Sequence, residues 1–186
     1  MLFVTLLVLW VVVNTSKAVS PCQTKCPYSN SSYVLGYYWR DYFGTVPDDA
    51  FPGGIDEEAQ ATFIGQVYIK EYELLPGTLY RGCPKIRTSA YQSELTPDKN
   101  IKILCTNSGH KLKWKPAKQG ELYKLTNCHL VIGGSEAGLV VYIGRTVYNC
   151  QTIIGKVFQD DATNSGLWIP GTNNRFTDFE VLTYNC

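Results

Sequence analysis

Seven cysteines, two histidines and one run of three adjacent acids, Asp56-Glu57-Glu58, are the residues of this 186-residue chain whose types first invite chemistry. The cysteines (Cys22, Cys26, Cys83, Cys105, Cys128, Cys150 and Cys186) are scattered, and with only His110 and His129 beside them they lack the spacing that holds zinc. Disulfides suit them, provided that the compartment is oxidising. An odd count leaves one thiol over, and spacing leaves the pairing open. Cys22 and Cys26 bridge each other or pin the N-terminus to the body; the odd thiol is either buried and inert or links two chains into a homodimer. The three acids hint at a glycosidase, but such enzymes set two carboxylates across a cleft, about 5–10 Å apart, whereas neighbours in one turn are solvated. No Gly-x-Ser-x-Gly elbow, His-Glu-x-x-His helix or phosphate-cradling glycine loop occurs. Catalysis is therefore not expected. Nor is a metal or cofactor, since no Asp/Asn-rich loop has calcium-ligand spacing.

The elements that position these residues begin after an apolar run, Leu2–Val13, which is followed by polar Asn14–Lys17 and the small-x-small triplet Ser16-Lys17-Ala18. This pattern predicts a signal peptide over residues 1–18 and a secreted, extracellular protein. It is too short for a bilayer span, which takes about 20 apolar residues. Residues 19–38 form an N-terminal arm carrying Cys22, Cys26 and a glycosylation triplet at Asn30. With 17 Lys and Arg against 16 Asp and Glu, the chain is close to neutral, and nucleic acid is not an expected partner. The densest basic stretch, "KLKWKPAK" at 111–118, alternates Lys111, Lys113 and Lys115 with Leu112 and Trp114, as a half-buried strand with a solvated lysine face does.

The chain also repeats itself. Trp39 matches Trp114, Gly53-Gly54 matches Gly133-Gly134, Ile64-Gly65 matches Ile143-Gly144, Gly77 matches Gly155 and Ile103-Leu104 matches Val181-Leu182, all in the same order. Two copies, 39–110 and 111–186, are too few for an open solenoid, so a compact pseudo-symmetric pair is expected. The segments are rich in Tyr, Val, Ile, Thr and Trp and are broken every eight to twelve residues or so by Gly, Pro or Asn, which reads as all-β, a sandwich- or prism-like pair of interlocked repeats. "DEEAQATF", 56–63, alone has helix-like composition. The double glycines are expected to turn the chain, and Gly65 and Gly144, inside apolar runs, to mark bulges or close backbone approach. Tyr142 and Tyr148 alternate with apolar neighbours and belong partly to the core.

The phrases W…G…GG…YIGR…GKV…WIPG…FEVL, occurring twice over residues 39–186, resemble the DM-nine repeat domain family, which includes mannose-binding lectins of molluscan haemolymph and the N-terminal part of natterin-type toxins. The match is clear in the second copy and blurred in the first, where Phe63-Ile64-Gly65-Gln66 and Pro76-Gly77-Thr78-Leu79 replace the usual phrases. The resemblance implies a mannose-type site built from an acid after the glycine turn and the lysine of "GKV", since a carboxylate accepts from sugar hydroxyls and an ammonium donates to them. Carried over, these are Glu136 and Lys156 in the second copy. In the first, Asp56 fits the acid, but Thr78 stands at the lysine position. Arg145, beside the turn glycine, is a further candidate donor, or else an exposed strand residue paired with an acid. Trp114 and Trp168 are either sugar-stacking platforms or core anchors. The implied partners are mannose-type glycans on microbial or other cell surfaces. The alternatives are a disulfide-stabilised interaction scaffold that has lost its sugar site and, less favoured, a toxin component. Natterin-type toxins carry a pore-forming region after the repeats, while this chain closes at Cys186.

Overall fold

The computed structural model describes residues 36–186. The expected signal peptide, Cys22, Cys26, the Asn30 triplet and nearly all of the arm lie outside them. In the first repeat the strands are β1 (Tyr37–Asp41), β2 (Pro52–Ile55), β3 (Ala61–Ile69), β4 (Glu73–Leu79), β5 (Ile86–Ala90), β6 (Ser93–Leu95) and β7 (Ile101–Thr106). In the second they are β8 (Leu112–Lys118), β9 (His129–Leu130), β10 (Ile132–Glu136), β11 (Leu139–Tyr148), β12 (Gln151–Phe158), β13 (Gly166–Trp168), β14 (Arg175–Phe176) and β15 (Asp178–Tyr184). The strand β1 starts at Tyr37, which pairs with Thr106, so the first repeat begins inside the stretch expected to be arm. Helix is confined, among the described residues, to two 3-10 turns, Gly109–Lys111 and Leu122–Lys124. Neither is long and apolar enough to cross a membrane.

The helix-like composition of 56–63 does not become a helix. Asp56 accepts the backbone N–H groups of Glu58 and Gln60 on one carboxylate oxygen, and Ala59 sits at φ 59°, so the chain folds back into β3. A short acid that captures nearby N–H groups favours a turn over a helix interior.

Each repeat pairs its strands in the same way. The set β1–β7, β7–β3, β3–β2, β3–β4, β4–β5 and β5–β6 recurs as β8–β15, β15–β11, β11–β10, β11–β12, β12–β13 and β13–β14, all antiparallel. The repeats are then joined by a reciprocal exchange. Ile55 of β2 pairs with Thr152 of β12, and its image Ser135 of β10 pairs with Leu74 of β4. These two bridges close β2, β3, β4, β10, β11 and β12 into a ring. The double glycines belong here and not at turns. Each lies within a strand, at a register shift between Pro52 and Gly54 or between Ile132 and Gly134. A Cβ on Gly54 or Gly134 would collide with the carbonyl of Thr152 or Leu74 in the other repeat, so the bulge lets the two backbones meet. Gly65 and Gly144 have a different reason: side chains, chiefly Leu79 and Ile86 or Val157 and Leu167, lie across them, and no bulge interrupts the β11–β12 register.

The strand alternation sends side chains into three cores. One belongs to the first repeat (Phe63, Val67, Leu75, Leu79, Ile86, Ile103), and one to the second, built from counterparts such as Ile153, Val157, Leu167 and Val181. Between them a shared core takes Ile64 with Ile143, Leu104 with Leu182 and the half-buried Trp39 with Trp114, so the matched tryptophans anchor the contact between repeats. "NIKILC" shows the logic, with Ile101, Ile103 and Cys105 entering the first core and Leu104 the shared one. Tyr142 and Tyr148 pack partly buried against the second-repeat core. Cys128 and Cys186 form a disulfide that ties the loop before β9 to the chain end. Cys83, Cys105 and Cys150 form no disulfide among the described residues; Cys105 is fully buried, and burial pushes its thiol up to about 11, which leaves it unreactive.

Candidate functional site

Glu136 ends β10, and a two-residue turn, Ala137-Gly138 with φ 52° and 74°, reverses the chain into β11. Positive φ at both turn positions gives the twist that a tight hairpin needs. Lys156 lies on β12, directly opposite Ile143 on one side and Trp168 on the other. Glu136 and Lys156, far apart in sequence, meet with Lys156 Nζ 2.5 Å from Glu136 Oε2, each side chain only 5% exposed. Lys156 Nζ also donates to the carbonyl of Ser89 in the first repeat, at 2.7 Å. Burial pulls the Lys156 ammonium below its ordinary value, against the opposing pull of Glu136.

The pair forms the floor of a cavity of about 290 Å³. One wall is Trp168 and Phe158 of the second repeat; Trp168 is held by its indole N–H donating to the Asn164 carbonyl at 2.9 Å. The other wall is the hairpin turn Tyr91-Gln92 between β5 and β6 of the first repeat. Both turn residues sit at positive φ, 43° and 68°, and Tyr91 is 65% exposed. The Tyr91 N–H reaches towards Glu136 Oε1 at 3.4 Å. The site is therefore composite, completed only where the two repeats meet. Lys156 spends one donor on Ser89 and one on Glu136, which leaves the third of an ammonium's three. Glu136 keeps unused lone pairs. A donor and an acceptor thus stand together below aromatic walls, which is how a protein recognises adjacent hydroxyl groups.

The pseudo-symmetric position in the first repeat is built otherwise. Thr78 occupies the Lys156 position and is buried; its hydroxyl accepts from Ile154 N–H at 3.1 Å and donates to Ile154 C=O at 3.2 Å, sewing β4 onto β12. Arg87, opposite Thr78, takes the place of Trp168. It donates to Glu94 at 2.7 Å and to the Tyr80 hydroxyl at 3.3 Å, and Glu94 chiefly holds its guanidinium well above the usual range. Tyr80 continues to Gln151, and Gln151 donates to Glu57 at 2.6 Å. Asp56, proposed as the acid, is spent on its own turn.

Of the four residues singled out in the sequence, only Glu136 and Lys156 come together. Arg145 lies elsewhere: directly across the strand pair from Glu180, it donates to that carboxylate at 2.7 Å and to the Gly53 carbonyl at 2.9 Å, with its guanidinium 4.3 Å from the Trp114 ring centre. Trp114 packs against the shared core while Trp168 lines the cavity. Ser89, Tyr91 and Gln92 went unseen because they belong to the other repeat. Ser89 acts through its carbonyl, which every residue has, and the Tyr91-Gln92 turn lacks the Asn-Gly or Gly signature of such hairpins.

Residues 70–170 match the sequence model of the DM9 repeat. No curated protein matches the chain.

Proposed function

Because the chain belongs to the DM9 repeat family, we propose that it is a secreted carbohydrate-binding protein of mannose type, which recognises glycans on cell or microbial surfaces and catalyses nothing. The working site in this reading is the Glu136–Lys156 cavity. The single observation that carries it is the placement of a buried, opposite-charged pair at the floor of an open, aromatic-walled cavity. Taking two charges out of water costs more than a comparable apolar contact, and such a pair is weak as a device for stability alone. Here it holds one spare donor beside one spare acceptor, aimed where a sugar's neighbouring hydroxyls would sit. Trp168 and Tyr91 offer flat apolar faces on opposite walls.

A second reading has its own observation. The bond from Lys156 Nζ to Ser89 C=O crosses from one repeat to the other, as a structural latch would. In that reading the chain is an extracellular scaffold, and the pair serves only to lock the repeats together.

A glycan array separates the two, run on the disulfide-intact protein and on the double variant Glu136→Gln/Lys156→Met. Removing both charges avoids stranding one of them, so the variant is expected to keep its fold by circular dichroism. Mannose-type signal on the parent that vanishes in the variant is the expected result. A well-folded parent with no glycan signal leaves the scaffold reading.

A further inference from the structure

The lysine-rich strand singled out in the sequence finds no role in the cavity above. Lys113 and Lys115 of β8 converge with Lys124, from the second 3-10 turn, on one depression of about 360 Å³ that Thr126 and Asn127 also line. The Cys128–Cys186 disulfide borders it and fastens the loop that forms its far wall. No acidic side chain lines it, so that the one carboxylate its lining residues bring is the chain-terminal group of Cys186, set against three lysines. Among the described residues Lys113 and Lys115 are in no ion pair, and Lys124 has only its neighbour Glu121, 2.7 Å away. We propose that this groove binds an anionic polysaccharide of the sulfated kind, at a second site independent of Glu136 and Lys156.

The edge position of β8, which pairs only with β15, explains part of the pattern, because lysines on an edge strand discourage sheets from joining edge to edge. It does not explain Lys124, which comes from another element, or the stapled loop that turns a basic edge into a groove. Gathering three like charges in one hollow raises their mutual repulsion, which a bound polyanion relieves. Lys113 and Lys115 are two residues apart along the strand, a spacing of about 6.6 Å, so they present charge in a row, as a linear chain of sulfate groups does. A concave row accepts a chain; a membrane surface is flat and calls for an apolar face to insert as well. The groove also lacks an aromatic side chain on which nucleic-acid bases would stack. Ammonium groups act as point charges and suit sulfate without requiring the planar fork of arginine.

The test is calorimetric titration with a heparin-derived octasaccharide as the probe, in parallel with phosphatidylserine vesicles and single-stranded DNA. The triple variant Lys113→Gln/Lys115→Gln/Lys124→Gln is expected to bind the octasaccharide roughly tenfold or more weakly, with a shallower salt dependence. A control that removes the same charge elsewhere, Lys70→Gln/Lys85→Gln/Lys99→Gln, is expected to bind like the parent. So is Glu136→Gln/Lys156→Met, which keeps this proposal separable from the mannose-type site. Circular dichroism is run on all three variants, and each is expected to match the parent. Absence of octasaccharide binding by the parent, an equal loss in the control triple, or binding of vesicles or DNA as tight as that of the octasaccharide overturns the proposal.

Discussion

The Lys156 position and the Thr78 position share a backbone and differ in what the backbone holds. Both lie on the strand after the long central one, both face a strand that starts the next hairpin, and both abut the other repeat. At Lys156 the neighbours are Trp168, Phe158 and Glu136, so a charged pair sits below an open hollow. At Thr78 the neighbours are Arg87 and Tyr80, whose hydrogen bonds run on to Glu94, Gln151 and Glu57. The difference teaches that two equivalent backbone places take on different characters from the set of side chains put there: Lys156, Trp168 and Phe158 leave a cavity, while Thr78, Arg87 and Tyr80 close a seam. Thr78 is short enough to bond both backbone groups of Ile154, which a lysine cannot do, and so the first repeat gains a stitch where the second keeps a cavity.

The largest effect that would sharpen this comparison is expected from Lys156→Ala. It leaves a cavity in a buried place, frees the Ser89 carbonyl and takes the partner from Glu136, and is expected to cost about 4 kcal/mol in chemical denaturation. Glu136→Gln/Lys156→Met should recover most of that loss, and a single variant no less stable than the double one would contradict the buried-pair account. Next comes Gly134→Ala, whose new methyl group meets the Leu74 carbonyl and breaks the exchange between repeats, with an expected loss of about 3 kcal/mol; a cost near zero would mean that the two backbones do not press together there. Thr78→Val keeps the shape but leaves the N–H and C=O of Ile154 without their partner, at about 2 kcal/mol. Its glycan signal should be unchanged, and loss of signal would show that the first repeat also binds.

The alkaline limb gives a subtler test. Lys156 titrates below its ordinary value of 10.5, so its charge is lost in the folded protein before it is lost in the unfolded chain. Between those two points the unfolded chain holds more protons, so Lys156 makes stability rise with pH, relative to the double variant. Glycan binding that uses the ammonium falls over the same window. Parallel pH series of denaturation and binding check both signs, and movement in the same direction would contradict the assignment. The smallest effect is expected for Asp56→Ala, about 0.5 kcal/mol from the lost, exposed turn bonds, with no change in glycan signal.

Much of the fold was legible because β alternation and paired landmarks are local signals. Trp39 and Trp114, Ile64 and Ile143, and Leu104 and Leu182 could be matched by eye, and each pair meets in the shared core. The exchange of β2 and β10 was not legible, because each bridge rests on a single residue pair and the glycines beside it look like turn residues until the other backbone is seen. Glu136 and Lys156 could be found from the motif phrases. For Arg145, beside the glycine of the same phrase, the sequence leaves open a sugar donor or a strand residue paired with an acid; a strand side chain obeys its cross-strand partner, and that is Glu180. The cavity's other wall, Ser89 to Gln92, was beyond reach because it acts through backbone groups and a turn without the usual glycine.

The most direct measurement of the central claim is the binding stoichiometry of a mannose oligosaccharide, by isothermal titration calorimetry on the parent and on Glu136→Gln/Lys156→Met. One site per chain, abolished in the double variant, is the predicted result. Two sites per chain, or one site that survives the double variant, would contradict it.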